Sequence, residues 1–267
     1  MKFKEKLFIK LNIFIIIIFL GCNKSNDIIV ADVVQNNSQE LMSSSIYLDE
    51  NGITIKAKPE AEIGSEVLFN GEKFLIASEE ILREMVNNGD DLSKVITSKV
   101  YNMRELFKGK TINGNISQWD VSNVDFMHSM FMDTNFNQDL SAWDVSNVYH
   151  FGQMFFNSSF NGDISAWDVT KSGNLINGEV ANDLGEIPVC FTAMFMNSAF
   201  NQDISEWNVS RSGCMNSMFK GAFKFNQDLS SWIVNQVTNC DGFWKDADSW
   251  VLPKPNFTIS QYCNPGE

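Results

Sequence analysis

Bulky apolar residues recur in a fixed order from residue 95 onward. Trp119, Trp143, Trp167, Trp207 and Trp232 are separated by 24, 24, 40 and 25 residues, and Val95 stands 24 residues before the first of them. Counted from these six starts, with the surplus after Trp167 set aside, the fifth position holds Val100, Val124, Val148 and Val237. The eighth holds Met103, Met127, Phe151, Phe191, Met215 and Cys240, and the twelfth Phe107, Phe131, Phe155, Phe195, Phe219 and Trp244. Leu106, Met130, Met154, Met194, Met218 and Phe243 fill the eleventh, and Ile112, Phe136, Phe160, Phe200 and Phe225 recur later. One apolar set per period marks units that cannot bury their apolar face alone but can bury it against their neighbours. The pattern predicts a solenoid of about six coils spanning 95–244.

Within one unit, the spacing from positions five and eight to eleven and twelve fits a strand entering a short helix better than strict alternation. The expected fold class is α/β, a solenoid similar to leucine-rich repeats, with an all-β solenoid as the alternative. Trp167 to Trp207 exceeds the period by 16 residues, and the excess around Ser172-Gly173-Asn174-Leu175-Ile176-Asn177-Gly178-Glu179 is loop-like. Such an insertion is either drift in an exposed loop or part of a binding face.

The polar positions also form columns. Asn113, Asn137, Asn161, Asn201 and Asn226 predict a buried asparagine ladder that satisfies backbone groups at a tight corner. Two positions on lie Asn115, Asp139, Asp163, Asp203 and Asp228, while Asp120, Asp144 and Asp168 follow their tryptophans. These aspartates read either as turn caps bonded to nearby N–H groups or as a row of weak Ca²⁺ sites. A Trp that recurs once per coil reads as core before it reads as a sugar platform.

Before the repeats, residues 46–94 carry the signals of a small capping module. Ile53-Thr54-Ile55-Lys56-Ala57, Val67-Leu68-Phe69 and Phe74-Leu75-Ile76 predict three strands, the last two joined through Asn70-Gly71. Ser78 can cap a helix with apolar face Ile81, Leu82, Met85 and Val86, with Glu79 and Glu80 in its first turn and Gly89 past its end. Residues 245–267 are expected to cap the other end.

The N-terminus reads as an address. Lys2, Lys4, Lys6 and Lys10 precede the apolar run Leu11–Leu20, too short for a comfortable membrane span and suited to a secretory leader over 1–21. Phe19-Leu20-Gly21-Cys22 resembles a lipobox, which makes Cys22 the lipidated first residue and the bilayer a partner through its acyl chains. The Asn- and Ser-rich stretch up to residue 45 suits a tether.

Composition narrows the chemistry. The chain has 267 residues, of which 44% are hydrophobic, with 22 Phe and 12 Met but only 2 His. Its formal charge of −13 disfavours nucleic acid, because a phosphate backbone rewards Lys and Arg. His128 and His150 occupy different repeat positions and make no column. No paired nucleophile and base, phosphate-binding glycine loop or zinc-protease motif stands out, so neither an enzyme nor a cofactor is expected.

Four cysteines follow Cys22 in a chain expected to leave the cytoplasm. Cys190 and Cys214 hold the same position in consecutive units, which stacking brings within disulfide range. Cys240 and Cys263 then pair by elimination, and the absence of any C-x-x-C spacing argues against zinc.

The unit W-D-V-S-N-V at Trp119–Val124 and Trp143–Val148 is followed by Met130-Phe131 or Met154-Phe155, and then, in the first of the two, by Phe136-Asn137-Gln138-Asp139-Leu140-Ser141. It resembles the BspA-like bacterial surface-protein repeat over residues 95–244, and Ile46–Lys58 with Leu82–Val86 looks like the segment that often precedes it. Val95 in place of the first Trp, the insertion after Val169, and Ile233 where Asp is usual depart from that pattern. The resemblance implies a secreted or surface-anchored, leucine-rich-repeat-like protein with relatives tied to adhesion, and it transfers no catalytic residues. The expectation is a non-enzymatic, lipid-anchored solenoid of the cell envelope that presents an acidic, repeated face to a protein or glycan partner. Its rivals are a structural periplasmic or envelope component and a polysaccharide-capture subunit, the last requiring exposed Trp.

Overall fold

The structure is a computed structural model that describes residues 45–172, 191–258 and 263–267. The expected leader, the tether up to residue 44, Cys22, Cys190 and residues 173–190 lie outside the described residues. From Ser45 onward the described chain forms one compact unit.

The N-terminal module holds more strands than the three expected. Strand β1 (Ile46–Leu48) pairs antiparallel with β2 (Ile55–Ala57), and β3 (Glu66–Phe69) pairs antiparallel with β4 (Glu72–Ile76). Asn70 and Gly71 join β3 to β4 with φ of 52° and 80°, the left-handed pair that a two-residue hairpin needs. Helix α1 (Glu79–Asn88) starts on Ser78, whose hydroxyl accepts from Ile81 N–H at 3.3 Å, and ends on Gly89 at φ 75°. A short strand β5 (Val95–Ile96) then pairs in parallel with β4, so the expected start of the first repeat is held in the module's sheet. Leu82 and Val86 of α1 share one buried cluster with Val100, Met103 and Phe107.

Beyond β5 the described residues contain turns and bridge pairs but no helix. Where a short helix was expected, each unit makes two consecutive tight turns. The backbone is left-handed at Glu105, Ser129, Gln153, Ala193, Ser217 and Gly242, and again four residues later at Gly109, Asp133, Asn157, Asn197, Gly221 and Asp246. An α-helix cannot continue through such a residue. Its N–H groups would all serve their own helix, whereas here they alternate. Leu106 and Lys108 donate three residues back to Met103 and Glu105, while Met103, Glu105, Phe107 and Gly109 donate to the carbonyls of Phe126, His128, Met130 and Met132 at 2.9–3.0 Å. Met127, Ser129, Phe131 and Asp133 repeat the pattern onto His150, Gly152, Met154 and Phe156.

This backbone ladder stacks the side chains as well. Phe107, Phe131, Phe155, Phe195 and Phe219 form a column with centroids 5.4–5.7 Å apart, and Phe136, Phe160, Phe200 and Phe225 form a second at 6.0–6.2 Å. The columns touch inside each unit, as in Phe155–Phe160 at 4.1 Å. Trp119, Trp143, Trp167, Trp207 and Trp232 are only 1–4% exposed. Each of these tryptophans donates its indole N–H to the carbonyl three residues ahead of the preceding unit's start, for example Trp143 to Ile116 at 3.2 Å and Trp207 to Ile164 at 3.0 Å.

A stack built this way has chemically different ends. Its first unit points carbonyls outward, and Arg83 of α1 meets two of them, with Nη2 3.3 Å from Asn102 O and 3.1 Å from Arg104 O. Its last unit points N–H groups outward, and the C-terminal tail meets those: Gly242 N donates to Asn264 O and Trp244 N to Pro265 O. A disulfide between Cys240 and Cys263, with Cα atoms 4.4 Å apart, holds the tail there.

Candidate functional site

The aspartate columns are occupied with local structure. Oδ1 of Asp139, Asp163, Asp203 and Asp228 accepts the N–H of Ser141, Ser165, Ser205 and Ser230, each at 2.9 Å. Asp120, Asp144 and Asp168 do the same for Ser122, Ser146 and Thr170 and also accept their hydroxyls at 2.6 Å. These contacts cap turns. They hold Asp163, chiefly through the Ser165 N–H, and Asp228, chiefly through the Ser230 hydroxyl, below the usual carboxylate range. Among the described residues no group of three or more His, Cys, Asp or Glu is placed to hold a metal ion.

The asparagine ladder is present but sits at the surface and is not buried as expected. Asn161, Asn201 and Asn226 each donate a backbone N–H to Oδ1 of the asparagine in the preceding unit, at 2.7 Å. Asn137 is exposed and Asn161, Asn201 and Asn226 are half-buried. A backbone N–H needs one acceptor whether or not the corner is sealed from water, and a neighbouring carboxamide supplies it.

Of the cysteines, Cys240 and Cys263 are joined, and Cys214 is disulfide-bonded. The expected partner of Cys214, Cys190, and the lipidation candidate Cys22 lie outside the described residues.

One strip that the sequence did not single out brings aromatic and charged groups together. Asn102, Phe126 and His150 make parallel bridge pairs on successive units, and beside them Asp125 N donates to Tyr101 O and Tyr149 N to Asp125 O, both at 2.9 Å. The backbone thus aligns Tyr101, Asp125 and Tyr149 in a row. Tyr101 is 57% exposed, and the Phe126 ring lies parallel to the His150 ring at 5.5 Å. Lys171 Nζ sits 4.2 Å from the Tyr149 ring centre and 2.9 Å from Asn147 Oδ1. Partial burial pushes the Asp125 carboxyl up, against the pull of Lys171. At its first end the strip meets a depression of 310 Å³ lined by Arg83, Asn102, Arg104, Glu105 and Lys110. Aromatic faces beside a carboxylate, an ammonium and amides suit glycan rings or peptide side chains. A period-2 signal at positions six and seven would have marked the strip, but each bridge is a single residue long.

A family model described as Mycoplasma protein of unknown function, DUF285, matches residues 78–179 and 189–265. The match starts at the cap of α1, runs through the stacked units and the tail, and breaks inside the long spacing between Trp167 and Trp207. No curated protein and no solved structure matches the chain.

Proposed function

The chain belongs to the DUF285 family of Mycoplasma proteins of unknown function, and from that premise we propose that it is a non-enzymatic, lipid-anchored bacterial surface protein of the BspA-like kind. Its stacked units serve as a leucine-rich-repeat-like solenoid that presents a binding strip to a protein or glycan partner. The observation that carries this reading is the row Tyr101, Asp125 and Tyr149 with Lys171 beside it. The aspartate columns are engaged in turn capping and the five repeat tryptophans are buried, whereas this strip sets an exposed tyrosine in a row with partly exposed charged groups. Repetition across units favours several weak contacts along an extended partner. The lipid anchor rests on Phe19-Leu20-Gly21-Cys22 in the sequence.

The buried tryptophans argue against a polysaccharide-capture subunit built on Trp platforms. The deciding experiment has two arms. Protease treatment of intact and lysed cells, read with an antibody to residues 95–244, is expected to digest the protein on intact cells; protection until lysis favours the structural envelope role instead. Screening matrix proteins and glycans against the chain and its Tyr101→Ala and Asp125→Ala variants is expected to find a ligand that both variants lose. A ligand bound equally by both would remove the strip from the proposal.

A further inference from the structure

The backbone ladder is left open at the first unit. Met130 O and Met132 O accept the N–H groups of Phe107 and Gly109, and the same two positions are filled at every later interface, down to Phe243 O and Lys245 O, which accept from Phe219 and Gly221, all at 2.8–3.0 Å. Before the first unit stands α1 instead, and its Arg83 covers Asn102 O and Arg104 O. No described residue donates to Leu106 O or Lys108 O, the next two carbonyls of the same row. Leu106 packs its side chain in the core and is 2% exposed, yet it borders the 310 Å³ depression together with Arg83, Asn87, Arg104, Glu105 and Lys110. What Leu106 presents to that space is therefore backbone. Unpaired acceptors that continue an existing ladder are a template for another chain.

Chemistry selects the occupant. The two carbonyls call for donors two residues apart in one chain, the spacing with which Phe107 and Gly109 fill the next unit. Arg104 and Lys110 oppose an ammonium or guanidinium as that donor and favour a segment that also carries a carboxylate. Lys110 Nζ spends one of its three donors on Asn87 Oδ1, at 2.6 Å. Of the carboxylates nearby, Glu105 is bonded to Lys108 at 3.2 Å and Glu79 to Arg83 at 3.0 Å. Glu80 and Glu84 border a neighbouring depression that shares Arg83 and Asn87 with this one, and Asp90 and Asp91 follow α1. These acids offset long-range attraction, so selection acts at contact inside the depression. An acidic sugar also combines donors with a carboxylate, but the N–H spacing that fills this row at every other interface is that of a polypeptide.

We infer that the open end of the first unit docks a peptide segment of a protein partner, whose alternate N–H groups meet Leu106 O and Lys108 O and whose Asp or Glu side chain meets Arg104 and Lys110. The site uses none of Tyr101, Asp125, Tyr149 and Lys171, so it and the proposed strip can fail independently.

The test pans a phage-displayed library of random linear peptides on the full chain in detergent, and measures a synthetic copy of the leading peptide by fluorescence anisotropy. Peptides carrying Asp or Glu are expected. Affinity is expected to fall about tenfold or more in Arg104→Glu/Lys110→Glu, and likewise in Asn87→Trp, which fills the depression from the exposed side of α1. N-methylation of two peptide residues two apart is expected to abolish binding, while methylation of the residue between them is tolerated. Tyr101→Ala is expected to bind the peptide unchanged. Enrichment of no peptide overturns the inference. So does a peptide bound equally by both depression variants, one indifferent to backbone methylation, or oligogalacturonate that binds the depression where no peptide does.

Discussion

Phe155 and Phe195 lie 40 positions apart in the chain, yet their rings stack 5.7 Å apart and within 6° of parallel. Adjacent pairs separated by 24 residues, such as Phe131 and Phe155, stack at 5.5 Å. The Trp207 indole reaches Ile164 O just as Trp167 reaches Leu140 O. The stack therefore resumes its register across the long spacing. Deleting residues 173–188 shortens Trp167 to Trp207 to the common spacing of 24 and leaves Val189 and Cys190 as the link. The shortened chain is expected to unfold at the same temperature as the parent or slightly higher, since closing a shorter loop costs less entropy. Calorimetry of the two chains checks this, and loss of cooperative unfolding would show that the segment holds the units together.

Trp143 couples two units through one carbonyl. Ile116 O accepts the Trp119 backbone N–H at 3.1 Å and the Trp143 indole N–H at 3.2 Å. Trp143→Phe keeps much of the buried ring but removes the indole donor, and is expected to cost about 1–3 kcal/mol through the lost bond and unfilled volume. Trp143→Ala is expected to cost about 3–5 kcal/mol. Denaturant unfolding of both variants separates the two contributions.

How much of this was legible depended on whether the signal lay in side-chain chemistry or in backbone pairing. The Phe and Trp columns were visible because stacking demands the same residue type at the same place in each unit. Ser78 and Gly89 announced α1, and Asn70-Gly71 its preceding hairpin. The two tight turns were not visible at their first left-handed position, where Glu105, Ser129, Gln153 and Ala193 carry no glycine signal. The second left-handed position holds only Gly, Asn or Asp, a cue that spacing of the apolar residues alone passed over. The strip was invisible for a different reason: Asp125 stands between Tyr101 and Tyr149, so no single residue type recurs from unit to unit, and only the backbone bonds align them.

The left-handed positions predict opposite responses to substitution. Ser217 has φ 55°, where a Cβ is strained, and Ser217→Gly is expected to raise stability by roughly 0.5–1 kcal/mol. Gly221 has φ 63°, and a Cβ there would stand 2.3 Å from Asn197 Oδ1. Gly221→Ala is expected to lower stability by about 1–3 kcal/mol. Thermal unfolding of the pair checks both signs in one stack.

The carboxylates predict a pH dependence with two signs. Asp163 and Asp228 are held low by their serines, so they contribute stability above the unfolded-chain carboxylate range and lose it as pH falls through their folded values. The deficit of Asp163→Ala against the parent is expected to be largest above about pH 5 and to shrink as pH falls through the folded value of Asp163. Asp125 is raised by burial, so its contribution is fully present at low pH and is lost as pH rises through its folded value. Asp125→Asn is therefore expected to match or exceed the parent at pH 7 and to lose that advantage on acidification, which denaturant unfolding across pH 3 to 7 would resolve.

The disulfide at the C-terminus acts where the stack would otherwise stay open. Gly242 and Trp244 point N–H groups beyond the last unit, and without Asn264 O and Pro265 O those donors would face water or a foreign acceptor. Asn264 N also donates to Asp241 Oδ1 at 2.7 Å, so both the N–H and the carbonyl of the residue after Cys263 are held by the last unit. The bond between Cys240 and Cys263 spans 23 residues, and closing a loop of that size in the unfolded chain stabilises by about 3 kcal/mol in the chain-entropy view. Cys263→Ser is expected to lower the global unfolding free energy by roughly that amount. It is also expected to speed hydrogen exchange at Gly242 and Trp244 more than at Ser217 and Phe219, whose N–H groups are covered by the last unit itself. Equal acceleration at all four amides would mean that the tail follows global unfolding and does not fray on its own; no acceleration at Gly242 and Trp244 would mean that the hydrogen bonds hold the tail without the disulfide.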